Sequence, residues 1–156
     1  GVATALITLA RAGGLKVLAT SRDEAKRERA LEIGAHEVFE SGARLPVKVD
    51  AVMETVGRAT WSHSIRSLRP GGTIVICGTT SGPQLEDAEL TRIFFLQLRV
   101  IGSTMGTRAE LASLITLLDA TGKRPLIDRV LPMEQARDGF AAMAGGDVFG
   151  KIVFTR

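Results

Sequence analysis

Tyrosine is absent from this 156-residue chain, cysteine and tryptophan occur once each, and aromatic residues make up 4% of it. Without tyrosine, no Tyr-x-x-x-Lys acid/base pair can be built. The single cysteine, Cys77, excludes an internal disulfide and fits a reducing compartment, so cytoplasm is the expected location. No apolar run reaches the roughly 18 residues that span a bilayer, and no charged segment followed by an apolar one opens the chain, so no membrane association is expected. The 20 basic and 17 acidic residues are interspersed, and a net charge of +3 without a Lys/Arg block gives no reason to expect nucleic acid as a partner. A Gly-x-Ser-x-Gly elbow and a Gly-Lys-Ser/Thr phosphate loop are also missing, which removes elbow-type serine hydrolysis and Walker-type phosphate binding.

What is present is an ordinary globular composition, 45% hydrophobic and 24% charged, in a length that fits one domain and buries about two thirds of its unfolded surface. The chain opens on Gly1 with a helical pattern at once, which reads as a piece of a longer polypeptide. Val2 to Ala12 is apolar on nearly every face and is expected to pack on more than one side, with Gly13-Gly14 as its left-handed stop. Lys16 to Thr20 reads as a strand, Asp23 to Ile33 as a helix, Val38-Phe39 and Val47 to Thr55 as strands. A helix from Gly57 to about Leu68 leads through the turn Arg69-Pro70-Gly71-Gly72 to a strand from Thr73 to Cys77, whose β-branched run suits a sheet buried on both faces. Glu86 to Gln97 is expected to be helical, Arg99 to Ser103 a strand, and Thr107 to Ala120 a helix with Thr107 as N-cap. Asp128 to Leu131 is a strand, Met133 to Met143 a helix and Lys151 to Thr155 a last strand. Alternating helices and strands predict an α/β fold with a mainly parallel sheet.

Ligands of such sheets bind beyond the carboxyl ends of the strands. Here those ends carry Ser21-Arg22, Thr55-Val56-Gly57, Gly78-Thr79-Thr80 and Ser103-Thr104-Met105-Gly106, all small, polar or glycine-rich. Gly1-Val2-Ala3 matches the tail of a Gly-x-Gly-x-x-Gly/Ala fingerprint, whose helix N-terminus offers free N–H groups to a pyrophosphate. An NAD site places Asp or Glu at the end of the next strand, to accept from the ribose 2′-OH. A 2′-phosphate instead needs that acid absent and a cation nearby. Ser21 and Arg22 occupy the position, Lys26 follows one turn later, and the first acid is Asp23, expected inside the helix. NADP is therefore expected over NAD. His36, His63 and Cys77 lie in different segments without ligand spacing, so no metal site is expected. His63 reads as a helix-surface residue and Cys77 as a buried strand residue. Phe94-Phe95 reads as core or dimer interface, and no residue is singled out as catalytic.

The segments Gly1-Val2-Ala3-Thr4-Ala5, Thr20-Ser21-Arg22, Asp50-Ala51-Val52-Met53-Glu54-Thr55-Val56-Gly57, Leu68-Arg69-Pro70-Gly71-Gly72, Gly102-Ser103-Thr104-Met105-Gly106 and Phe149-Gly150-Lys151-Ile152-Val153 together resemble the cofactor domain and C-terminal tail of the medium-chain dehydrogenase/reductase superfamily, in its quinone-oxidoreductase-like and zinc-binding dehydrogenase branches. The resemblance implies a three-layer Rossmann-like domain over residues 1–156 whose first strand, with the GroES-like catalytic domain, lies outside the chain. The loss of that strand is expected to leave a gap in the sheet, and the isolated chain to be poorly soluble or to bind NADPH weakly.

By the same resemblance, Gly1 and Val2 meet the pyrophosphate, and Ser21, Arg22 and Lys26 hold the 2′-phosphate. Thr55, Gly57, Gly78 and Thr79 line the adenosine and ribose side, and Ser103, Met105, Gly106, Phe149 and Lys151 the nicotinamide end. The implied activity is NADP(H)-dependent hydride transfer to or from a small-molecule quinone, enone or aldehyde/alcohol, in a homodimer joined through the strand Arg99 to Ser103. Zinc enters only through the catalytic domain. A zinc alcohol dehydrogenase and a non-catalytic, crystallin-like NADPH-binding protein are the alternatives.

Overall fold

A computed structural model describes residues 1–156, which divide into two compact units: Gly1–Glu40 with Arg108–Arg156, and Ser41–Thr107. Within the first unit, α1 (Val2–Ala12) is followed by β1 (Leu18–Thr20), α2 (Glu24–Glu32) and β2 (Glu37–Phe39), which pairs parallel to β1. The unit closes with α5 (Arg108–Thr121), β6 (Ile127–Pro132), a 3-10 turn (Met133–Gln135), α6 (Ala136–Gly145) and β7 (Lys151–Thr155), parallel to β6. Its core gathers Ile7, Ala30, Ala35 and Phe149, with Val17, Ala19, Ile33, Val38 and Leu126 packed around them.

The second unit is a parallel sheet of order β3-β4-β5 (Val49–Glu54, Leu68–Ile76, Arg99–Gly102), with α3 (Trp61–Ser67) and α4 (Leu90–Phe95) as its connections. Trp61 and Ile65 of α3 pack on Leu68 and Ile74 of β4 and on Leu98. Ile65 and Ile74 have no exposed surface at all, and burying a side chain of that size is worth about 1.5–3 kcal/mol. Pro70 and Gly71 make the expected turn inside β4: Gly71 has φ +73, and the ladder against β3 shifts register there. The strands thus form parallel ladders β1-β2, β3-β4-β5 and β6-β7, with β1 and β3 each paired on one side only.

Several expectations are corrected by local chemistry. Asp23 is not inside α2: it is the N-cap, and its carboxylate accepts from the Lys26 N–H at 3.1 Å. Helix α4 covers Leu90–Phe95 and not Glu86 to Gln97, because the Asp87 carboxylate takes the Glu89 N–H at 2.7 Å, and Glu89 enters the helix with φ +55. Phe94 and Phe95 are 66% and 76% exposed, which removes them from the core. Cys77 stands just past the end of β4 and is exposed, not buried. Helix α1 buries one face, through Thr4 and Ile7, while Val2, Ala3 and Ala5 face outward. No helix is long and apolar enough to cross a membrane.

Candidate functional site

The first unit builds an electropositive pole at the start of α1. Gly1 is the N-cap and supplies no side-chain acceptor, and the first helical bond runs from Ala5 N to the Gly1 carbonyl. The N–H groups of Val2 and Ala3 therefore lack an acceptor within the helix. The Lys151 amine, at the head of β7, lies 3.1 Å from where a Gly1 Cβ would stand. Lys26 reaches the same region from α2, donating its amine to the Gly146 carbonyl. Both lysines lie close enough for their charges to be felt at Gly1. Two lysines and a helix N-terminus gathered together favour an anion, and a diphosphate fits that chemistry.

Three of the expected site residues lie in or beside this pole and the core beneath it. Lys151 sits at the α1 pole, and Lys26 is engaged there with Gly146. Phe149, expected to line the nicotinamide end, is 9% exposed because its ring belongs to the Ile7–Ala30–Ala35 core, with the Arg29 guanidinium 4.4 Å above it. Asp128 anchors that segment: its carboxylate accepts from Phe149 N at 2.9 Å and from Arg129 Nε at 2.7 Å, with Arg29 at 3.7 Å. The Phe149 N–H and the Arg129 hydrogen bond hold the Asp128 carboxyl below its ordinary pKa, against the opposing effect of burial. Gly150 passes so close to Leu126 that a Cβ would lie 2.6 Å from its carbonyl oxygen.

At the end of β1, Arg22 is exposed and makes no ion pair. Ser21 accepts from Asp23 N at 3.2 Å, and its carbonyl takes Arg27 Nη1 at 2.8 Å. Asp23 uses one carboxylate oxygen to cap α2, and the Arg22 guanidinium and Ser21 hydroxyl stand beside it at this strand end. An exposed guanidinium beside a hydroxyl has the chemistry to hold a phosphate group.

In the second unit the loops after β3 and β4 are strapped together. Ser81 N and Oγ both donate to the Val56 carbonyl at 2.7 Å, Arg58 N donates to the Gly82 carbonyl at 3.1 Å, and Ala59 N to Ser81 Oγ at 2.9 Å. Gly57 has φ +88, and a Cβ there would stand 2.7 Å from the Gly82 carbonyl oxygen. Gly78 fits equally closely, 2.9 Å from the Thr55 carbonyl oxygen by the same measure. Thr55, Gly57, Gly78 and Thr79 are thereby brought together on one platform. Ser103, Met105 and Gly106 follow β5 on the exposed surface, with Met105 93% exposed.

Sequence reasoning passed over Glu54, which organises this platform. Its carboxylate, 3% exposed, accepts from Val56 N at 2.7 Å, Gly57 N at 3.1 Å, Thr60 Oγ1 at 2.8 Å and Ser64 Oγ. Burial pushes its pKa up, but the hydrogen bonds from Ser64, Val56, Gly57 and Thr60 outweigh that and hold it below 4.5. Nowhere do three His, Cys, Asp or Glu side chains come together to hold a metal ion. His63 donates its Nε2–H to the Ala43 carbonyl at 2.8 Å, so the histidine is a loop anchor on α3. The residues of this chain do not fit zinc.

Parallel ladders joined by helices, with glycine-rich loops after the strands, define a Rossmann-like α/β domain of the nucleotide-binding class. The family of zinc-binding dehydrogenases matches over residues 1–120, and the chain belongs to that family, within the medium-chain dehydrogenase/reductase superfamily. It is 25% identical over 157 residues to an acryloyl-coenzyme A reductase of Sulfurisphaera tokodaii, covering 98% of this chain and 47% of that protein. It is 30% identical over 150 residues to a quinone oxidoreductase of Sus scrofa, covering 87% and 45%. A crystal structure of a putative alcohol dehydrogenase from Sinorhizobium meliloti superposes with a TM-score of 0.90 at 27% identity, covering 99% of this chain and 45% of that one. The chain thus spans about half the length of the curated relatives it matches.

Proposed function

We propose that the whole protein is an NADP(H)-dependent oxidoreductase acting on a small quinone, an activated alkene or an aldehyde/alcohol, and that residues 1–156 are its cofactor domain. The carrying observation is the uncapped start of α1 with Lys151 and Lys26 beside it, an arrangement suited to a dinucleotide's diphosphate. When bound, the nicotinamide supplies or accepts the hydride. Gly1 and Val2 offer backbone N–H groups to the diphosphate, and Lys151 and Lys26 neutralise it. Ser21 and Arg22 take the 2′-phosphate, for which the exposed guanidinium, outside any ion pair, and the engagement of Asp23 in the α2 cap argue. Thr55, Gly57, Gly78 and Thr79 present a rigid, small-residue surface to the adenosine and ribose, and Ser103, Met105 and Gly106 the surface toward the nicotinamide.

The range of substrates follows the relatives, which are named as a coenzyme A-linked reductase, a quinone oxidoreductase and an alcohol dehydrogenase. A homodimer through β5 is part of the proposal: all four of its residues are exposed, and its outer edge is unpaired. The test is NADPH consumption by the full-length protein with a panel of quinones, enones and aldehydes. Turnover with at least one class is expected. Saturable NADPH binding with no turnover across the panel would replace the enzyme by a binding protein.

A further inference from the structure

We infer that Glu54 is a positioning residue for the cofactor: a buried, ionised carboxylate that shapes the loop a dinucleotide meets, without touching the dinucleotide itself. The inference rests on the nicotinamide-cofactor reading above. Glu54 ends β3, and its two oxygens collect donors from three places: the loop amides of Val56 and Gly57, the Thr60 hydroxyl before α3, and the Ser64 hydroxyl one turn into α3. No lysine or arginine pairs with it. A buried charge without a counter-ion is costly, and only converging dipoles sustain it.

Those donors fix the path of the loop. With the Val56 and Gly57 amides turned inward to Oε1, Gly57 takes φ +88 and its bare Cα faces the Gly82 carbonyl. The Val56 carbonyl is left for Ser81, and the Glu54 carbonyl for Cys77 N at 2.9 Å. One side chain therefore ties strand, loop and helix into the platform that carries Thr55, Gly57, Gly78 and Thr79. An apolar residue would fill the same space but leave the Val56 and Gly57 amides and the Ser64 hydroxyl without an acceptor, with Thr60 Oγ1 keeping only its 3.4 Å bond to the Gly57 carbonyl, and the loop would turn the orphaned donors to water. Glutamine is the conservative case. Its oxygen can keep the three donors at Oε1, while its amide donates to Ser64, whose hydroxyl also accepts.

The test uses the full-length protein, with NADPH titrated by its fluorescence and melting temperature recorded alongside. Glu54→Ala is expected to weaken NADPH by at least about tenfold, Ser64→Ala by about threefold, and Glu54→Gln by less than about threefold. Ile65→Val, in the α3 core away from the loop, lowers the melting temperature and leaves NADPH affinity unchanged. Wild-type affinity in Glu54→Ala overturns the inference, as does a loss in Ile65→Val equal to that in Glu54→Ala. Where Glu54→Ala does not fold, wild-type affinity in Ser64→Ala overturns it. If the unmutated protein binds no nicotinamide dinucleotide, the cofactor reading falls and this inference with it. Tight binding that ignores Glu54 and Ser64 sinks the inference alone.

Discussion

Replacing Gly57 by alanine should damage the second unit far more than replacing Gly71, although both glycines have positive φ, +88 and +73. An L-residue held at positive φ costs about 1–2 kcal/mol, and Gly71 incurs only that, since nothing lies within 4 Å of a Cβ built there. At Gly57 the new Cβ meets the Gly82 carbonyl oxygen at 2.7 Å and Thr79 Cα and Cβ at 3.1 and 3.2 Å. These contacts are with a backbone segment, so the 79–82 loop has to retreat. Retreat stretches the Arg58–Gly82, Ser81–Val56 and Ala59–Ser81 hydrogen bonds, each worth about 1 kcal/mol net. Losing two of them brings the cost of Gly57→Ala to about 3–4 kcal/mol, some 2 kcal/mol beyond Gly71→Ala. Amide exchange of peptides spanning 54–60 and 77–83 in the full-length protein reads this directly. About thirtyfold faster exchange is expected in Gly57→Ala relative to Gly71→Ala. Equal exchange in the two variants would refute the strapped-loop account.

Asp128 gives a pH-dependent prediction. Its folded pKa is below the ordinary 3.8, so its contribution to stability is fully present above that value and is lost as pH falls through the folded pKa. Protection of the Phe149 amide, taken relative to the intrinsic exchange rate at each pH, should therefore fall in acid, and Asp128→Asn should lower that protection at neutral pH and remove the further fall in acid. An unchanged acid fall in the variant would assign it to another group. Gly139→Ala would place a Cβ 2.7 Å from Phe154 Cζ and 3.1 Å from Leu131 Cδ1, and should lower the denaturation midpoint by about 1–3 kcal/mol equivalent. An unaffected midpoint would mean that Phe154 and Leu131 give way without cost.

The legible parts of the fold were those in which one local rule acts alone. Ile74-Val75-Ile76 reads as a parallel strand and is one, with Ile74 buried and Val75 and Ile76 half-buried. Gly14, at φ +76, and the Pro70-Gly71 turn announce their backbone from residue type. What failed needed partners distant in sequence. Glu86 to Gln97 reads as helical, and only the Asp87–Glu89 turn shows why the helix starts late. Phe149 enters the expected site through the family resemblance, and its packing against Ile7 and Ala30 is visible only in the fold. Glu54 lies inside the Asp50–Gly57 segment that carries the family resemblance, but nothing in that segment says which groups its carboxylate holds. The signal was the set of donors at its second, third, sixth and tenth following positions: Val56, Gly57, Thr60 and Ser64. Lys151 lay 150 residues from the helix start it serves, beyond any local pattern.

The central claim, a cofactor domain that selects NADP through Ser21 and Arg22, is tested most directly by titrating NADPH and NADH against the full-length protein and its Arg22→Ala variant. The account predicts that NADPH binds at least about tenfold more tightly than NADH, and that Arg22→Ala erases most of that difference by weakening NADPH alone. NADH binding as tightly as NADPH to the unmutated protein, or equal losses of both in the variant, would contradict it.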